Sequence, residues 1–493
     1  MTTRLTGLDG VSLHGETVVM PTHLMAVLFC DSTLRGELTA GAIARLLAER
    51  TTQTTVFRQR LLNKPFALGQ PLWVEDSRFN AADHIHRVWL PEPGTINELA
   101  ALVGELHGQR LDRDRPLWEA WVVQGLDDGR LAVLMKFSHA MADGVGAVTS
   151  ILPELVSSDP DHVFHSGVER SPAPMPGAFA LLRDMIDEVA ANTAAGFRFA
   201  SRVVTAQSVA GSLRGAVRRM LPTAGQPGSE AAEERGNSPR TPLNAPITAR
   251  RSAAFAAVPI DDLAIIAEAF EVTVNDVFLS AATSALRRWL HQHDSVPDRS
   301  LRTFMPISIR GAGDTASNRW SPTVVKLPVY LADPVEQLAT IHADTSRIKN
   351  RRRQERPVDL ADVIGLVPPI AIEMAAGVYT GLKLSRLHSP LAHLITSNVP
   401  GPAGDVYLAG NRVLGMHPFA PLCEGSNLNI TAVSYGGSFS IGLVACPDNV
   451  DDVALLARGI EDAVGEMKAV AADTTGWREC HPCPRTEPLS EPA

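Results

Sequence analysis

The stretch LPTAGQPGSEAAEERGNSPRTPLNAP, Leu221 to Pro246, constrains the fold more than any other, because residues so rich in Pro, Gly, Ser and charge cannot supply one face of a core. The chain on each side of it can. At 493 residues the protein is too long for one ordinary core, and three domains or two large lobes both fit that length. Strand-like and helix-like segments alternate before the break and start again after it, which predicts an α/β protein of two lobes. The expected divisions are an N-terminal lobe over 1–158, a helical and Pro/Gly-rich interlobe linker over 159–248, a C-terminal lobe over 249–470 and a disordered tail over 471–493.

In the first half, TAGAIARLLAER from Thr39 repeats Ile43, Leu46 and Leu47 at helical spacing. TINELAALVGELHG pairs Thr95 with Glu98 as a capping box ahead of Leu99, Leu102, Val103 and Leu106. HLMAVLFC from His23, HIHRVWL from His84, LWEAWVVQGL from Leu117 and LAVLMKF from Leu131 read as strands, the last two joined as a hairpin through DDGR. Residues 178–204 read as a helix within the linker. In the second half, IDDLAIIAEAF and TVNDVFLSAATSALRRWL predict helices, RTFMPISIR and TVVKLPVYL predict strands, and NITAVSYGGSFSIGLVAC predicts a hairpin about Gly436–Gly437. The apolar stretch VIGLVPPIAIEMAAGVYTGLKL fits either a core helix or the lining of an apolar tunnel. No short repeat recurs, which sets solenoids and propellers aside.

Hydrophobic residues at 45%, charged residues at 20% and a mean hydropathy of +0.02 are those of a folded chain. A net charge of -9 offers phosphate backbones no general attraction, which argues against a nucleic-acid partner. The one basic run, RIKNRRRQER from Arg347 to Arg356, is either a solvated helix end or a contact for anionic lipid or nucleotide phosphates. Cys30, Cys423, Cys446, Cys480 and Cys483 are too scattered for a disulfide framework, and the single CHPC pair lacks the second ligand pair of a zinc site. The N-terminus has no continuous apolar h-region, and no segment reaches the ~20 apolar residues of a membrane span. Any membrane contact is therefore expected to be peripheral.

The chemistry centres on LMKFSHAMADGVGA, Leu134 to Ala147, in which His139 follows the apolar run ending at Phe137. A strand of the core would there meet solvent or an interlobe cleft. An imidazole can accept a proton near neutral pH, and Asp143 could fix the loop that orients it. Spacing alone is a weak signal, since a lone histidine after a strand is more often structural. Ser138 adjoins His139, but adjacent residues on an extended chain face opposite ways, so the two are poorly placed as nucleophile and base. No G-x-S-x-G elbow, Walker A loop, strand-borne G-x-G-x-x-G or HExxH occurs, which disfavours triad hydrolysis, phosphoryl transfer, hydride transfer and metal hydrolysis.

With HAMADG at His139 to Gly144 and PLWE at Pro116 to Glu119, the sequence resembles the bacterial wax ester synthase/diacylglycerol acyltransferase family. FRQRL at Phe57, NDVFLSA at Asn275, PISIR at Pro306, SNVPGP at Ser397 and LNITAVSYGG at Leu428 extend the match in the family's order from about Leu5 to about Met467. The resemblance implies two chloramphenicol-acetyltransferase-like lobes, as in CoA-dependent acyltransferases and condensation domains, with the active site in a tunnel between them. It implies that His139 takes the proton of an acceptor hydroxyl attacking an acyl-CoA thioester. Acyl-CoA is then a co-substrate and no resident cofactor or metal is called for.

The same resemblance makes Asp143 a structural partner that holds the motif loop through Arg58 or Arg60, and makes Gly144 the residue that permits the tight turn and close helix approach. Asn275 and Asp276 match an Asn–Asp pair of the second lobe, either in the tunnel or as a helix cap with Thr273. Ser397 and Asn398 would lie at the lobe crossover near the tunnel and shape its backbone. Ser138 stands where the family has its first motif histidine, and its short side chain cannot fill the same volume.

Three functions are compatible with these features. The first is an O-acyltransferase making triacylglycerol from long-chain acyl-CoA and diacylglycerol. The second is a wax ester synthase that uses a fatty alcohol. The third is a lipid- or acyl-CoA-binding paralogue with weak or lost catalysis. The expected location is cytoplasmic, with peripheral contact to the inner membrane face or lipid droplets.

Overall fold

The computed structural model describes residues 3–5, 7–31, 39–64, 69–162, 175–205, 238–308, 320–354 and 367–480. Omitting short turns, the elements of the first half are β1 (Thr3–Arg4), α1 (Gly7–His14), β2 (His23–Cys30), α2 (Ala40–Gln53), β3 (Gln59–Leu62), β4 (Leu72–Glu75), β5 (Ile85–Trp89), α3 (Ile96–Gly108), β6 (Trp118–Gln124), β7 (Leu131–Ser138) and α4 (Ala178–Thr205). Those of the second half are β8 (Ser252–Pro259), α5 (Ile260–Ala269), α6 (Val274–Gln292), β9 (Leu301–Ser308), β10 (Trp320–Leu327), α7 (Pro334–Gln354), α8 (Pro369–Gly381), β11 (Leu394–Pro400), β12 (Tyr407–Leu408), β13 (Asn411–Phe419), β14 (Leu428–Tyr435), β15 (Ser438–Ala445) and α9 (Val453–Cys480).

Local chemistry explains the helix starts. Thr39 accepts the Ala42 N–H and buries Ile43 and Leu47 of α2, while the Thr95/Glu98 capping box opens α3 over buried Leu99, Val103 and Leu106. Strand β7 is buried along its whole length, Lys136 included, as suits a mostly apolar strand in the middle of a sheet.

Two six-stranded mixed sheets organise the molecule, in the orders β12-β13-β2-β7-β6-β5 and β10-β9-β11-β14-β15-β8, with β1-β4-β3 as a small third sheet. The division of the chain at 249–470 does not survive strand pairing. After β11 the chain leaves the second sheet, adds β12 and β13 to the first, where Met416 pairs with Leu28, and returns to lay β14 beside β11. The first lobe's sheet is therefore completed by two strands from the second half of the chain. The tail reading is also displaced, since α9 continues past residue 471 to Cys480.

Apolar packing crosses the same junction. Phe255 of β8 lies edge-on to Phe419 of β13 at 5.0 Å and to His417 at 5.1 Å, with Phe29 of β2 at 6.0 Å. The sheets press together so closely that a Cβ on Gly442 would stand 1.9 Å from the Pro418 carbonyl oxygen. Behind the second sheet, α6 and α9 enclose a core around Phe278, Trp289, Leu456 and Ile460, all buried. Among the described residues no helix is long and apolar enough to cross a membrane.

Several sequence features fall outside the described residues in part or whole: two stretches of the linker (163–174 and 206–237), the end of PISIR, the last residues of the basic run, 363–366 of the apolar stretch, and 481–493. The apolar stretch that is described forms α8, which is not a core helix. Only Pro369 and Thr380 of it are buried, and Met374 is 64% exposed.

Candidate active site

Strand β7 ends at Ser138, and the next residue, His139, begins a tight turn. The His139 N–H donates to the Thr22 carbonyl at 3.2 Å, and the Ser138 N–H donates to the Leu117 carbonyl at 2.9 Å, so two neighbouring segments hold the turn. Asp143 closes it. Its Oδ1 accepts the Gly146 N–H at 2.6 Å and caps the short helical turn Gly144–Gly146.

Gly144 is required by packing. A Cβ there would stand 2.9 Å from Val399 Cγ2, so the loop lies flush on β11 of the other sheet. Residues of the two sheets thus meet beside His139. Ser397 shares the face of β11 that carries Val399 and is half-buried, whereas Asn398 points the other way and is exposed.

Burial lowers the pKa of His139 below 6.5, and Asp143, a hydrogen bond with its own backbone and Asp9 of α1 oppose that fall without cancelling it. The consequence is a neutral imidazole at neutral pH that can take a proton, with two carboxylates near enough to favour the imidazolium as it forms. Asp9 was not legible as a site residue. It is a buried acid one turn before the buried Leu13, and a lone carboxylate on the apolar face of a short helix was the signal available.

Ser138 lies on the opposite side of the sheet. It pairs directly with His23, whose ring lies tilted against that of His107 of α3 at 4.7 Å, and its face is shared by Lys136, whose Nζ donates to the carbonyls of Leu106 and Gln109. Its Oγ accepts the Ala140 N–H at 3.2 Å. The space for a first motif histidine is therefore in the packing between β7 and α3, already occupied by the His23–His107 pair.

Arg58 and Arg60 serve other carboxylates. Arg58 pairs with Glu75 at 2.9 Å and Arg60 with Asp76 at 3.7 Å, across and beside the β3–β4 hairpin, so neither forms the expected anchor of Asp143. The FRQRL and PLWE segments meet instead through Trp118, fully buried, which donates from Nε1 to the Phe57 carbonyl at 2.7 Å and stacks on His84.

Asp276 is a structural hub. It is fully buried, accepts from Thr273 N–H at 3.0 Å and Thr273 Oγ1 at 2.8 Å, and reaches α7 through His342 Nδ1 at 2.9 Å and Thr345 Oγ1 at 2.7 Å. Burial alone would raise its pKa, but the bonds from His342, Thr345 and Thr273 outweigh it and hold the carboxyl below the ordinary range. Asn275 is half-buried, with Nδ2 3.8 Å from Met305 Sδ.

Two sheet-and-helix lobes with a half-buried histidine on the loop packed between their sheets define a chloramphenicol-acetyltransferase-like fold. The same fold is seen in a wax ester synthase/diacylglycerol acyltransferase from Marinobacter aquaeolei VT8, with a TM-score of 0.69 at 24% identity over 95% of this chain and 100% of that one. It recurs in the EpoB cyclization-docking bidomain of Sorangium cellulosum, with a TM-score of 0.50 at 15% identity over 100% of this chain and 85% of that one. In sequence, the wax ester synthase/diacylglycerol acyltransferase catalytic domain matches residues 5–278 and the family's C-terminal domain matches 316–468. A Mycobacterium tuberculosis (strain H37Rv) protein named as a candidate diacylglycerol O-acyltransferase, tgs1, is 33% identical over 95% of this chain and 96% of its own length, and a Mycobacterium bovis relative with the same kind of name matches equally well. The chain belongs to the wax ester synthase/diacylglycerol acyltransferase family.

Proposed function

We propose that the protein transfers a long-chain acyl group from acyl-CoA to the free hydroxyl of diacylglycerol, forming triacylglycerol, with His139 as general base. His139 takes the hydroxyl proton as the oxygen attacks the thioester carbonyl. The tetrahedral intermediate then expels the CoA thiolate, and the imidazolium returns the proton to sulfur. No covalent enzyme intermediate is needed. The observation that carries the reading is the half-buried, neutral His139 between Asp143 and Asp9, on a loop packed against the second sheet. The acceptor is chosen on the names of the mycobacterial relatives.

Loss of catalysis through Ser138 is disfavoured, because that side chain faces α3 and not His139. We place the chain in the cytoplasm, in peripheral contact with the inner membrane face or lipid droplets, since its substrates dissolve in lipid. Competition between diolein and hexadecanol for labelled palmitoyl-CoA tests the acceptor. Triacylglycerol should dominate, and a predominance of wax ester would replace diacylglycerol with a fatty alcohol.

A further inference from the structure

More than half of the large apolar side chains exposed among the described residues fall in two segments, 175–189 and 367–391. In α8 the exposed residues Ile370, Met374, Val378 and Leu382 recur every fourth position, and Leu387 and Leu391 follow. In α4 Phe179, Leu182 and Ile186 form a second stripe, with Phe179 82% exposed. Among the described residues nothing covers these faces, and exposed apolar stripes of this kind mark a docking surface.

Helix α8 packs directly on α1, and α4 reaches it through Gln70. Glu373 of α8 meets His14 Nδ1 at 2.7 Å, and Glu188 of α4 accepts the Gln70 N–H at 2.9 Å while the Gln70 side chain lies against Gly10. The helix α1 is also a wall of the site. It carries Asp9, and its Ser12 carbonyl accepts Thr22 Oγ1 at 2.6 Å, Thr22 being the residue whose carbonyl receives the His139 N–H. The apolar stripes therefore sit one helix away from His139.

Charge selects the occupant. The one carboxylate of α8, Glu373, is matched by His14 and approached by Arg113. At the far end of the stripe Lys383, Arg386 and Arg240 are all exposed beside Leu382 and Leu387, with Arg240 donating to the Arg386 and His388 carbonyls. Glu424, at the same end, is engaged by Ser385 Oγ and the Ile247 N–H. An apolar stripe ending in unmatched cations suits an anionic lipid surface, whose acyl region accepts the stripe and whose headgroups accept the cations.

We propose that the apolar stripe of α8, together with that of α4, docks the protein on an anionic lipid surface and delivers a lipid-dissolved acceptor to the His139 loop. This deepens the acyltransferase reading and rests on it for the acceptor. The test is flotation of the full chain with phosphatidylcholine vesicles, with and without about a third phosphatidylglycerol. Wild type should float with the anionic vesicles and less with the neutral ones. Met374→Asp with Leu382→Asp should lower partitioning by about tenfold or more. Phe179→Asp should lower it less, and all variants should melt as wild type because the replaced side chains face solvent.

A wild type that stays in solution, or a double variant that floats as well as wild type, overturns the proposal. So does a wild-type dimer that the double variant splits, since the surface would then be a subunit interface. Flotation needs no turnover, so its outcome stands apart from the acyltransferase reading. That reading is checked on the same proteins with a short-chain acceptor dissolved as monomers, where the double variant should match wild type.

Discussion

Asp143 and Asp276 both stand at helix N-termini, Asp143 as the cap residue and Asp276 as the third residue inside the Thr273 capping box, yet they support different things. Asp143 gives one oxygen to the Gly146 N–H and stands near a half-buried imidazole on a loop between sheets. Asp276 accepts four hydrogen bonds from Thr273, His342 and Thr345 and fastens α6 to α7, wholly out of solvent. A cap with every acceptor position engaged is architecture. An acid whose field reaches a neighbouring imidazole can take part in chemistry, and the groups around each acid in space separate the two where sequence spacing does not.

That contrast can be broken by substitution. Asp276→Ala leaves a buried hydrogen-bonding cluster without its anion and should cost about 3–5 kcal/mol of stability, with activity per folded molecule little changed. Thermal melting beside a turnover assay checks both halves of that expectation.

Asp143→Asn should behave in the opposite sense, keeping the cap to within about 1 kcal/mol while lowering turnover. It should also move the acid limb of the rate profile. In wild type the imidazole is held below 6.5, so activity is present at neutral pH and lost as pH falls through that lowered value. Asp143 holds the value up, so removing its charge should shift the limb to still lower pH. A limb that stays in place would mean that Asp143 exerts no field on His139.

Ser138→Ala should have the smallest effect, about 1 kcal/mol or less in melting and little in rate, because only the Ala140 N–H loses a partner. A large loss of turnover would return Ser138 to the catalytic side of the strand.

Much of this was legible before any coordinates. The apolar run ending at Phe137, the histidine after it and the Asp143–Gly144 turn are local signals, as are the capping boxes of Thr95 and Thr273. What was not legible is non-local. Nothing in Asn411–Phe419 tells that it pairs with His23–Cys30, hundreds of positions earlier, and not with its neighbours in sequence. Arg58 and Arg60 had suitable charge, but Glu75 and Asp76 on the adjoining hairpin compete for them at short range. The apolar stretch containing α8 has no polar face to break its pattern, so periodicity could not distinguish a buried helix from one with its stripe exposed.

The central claim is that His139 is the proton acceptor of an acyl transfer. Its most direct test is formation of labelled triacylglycerol from palmitoyl-CoA and diolein by wild type and by His139→Ala, compared at equal folded concentration. The account predicts product from wild type and roughly 10²- to 10⁴-fold less from the variant, with unchanged melting. Equal product from both proteins would contradict it.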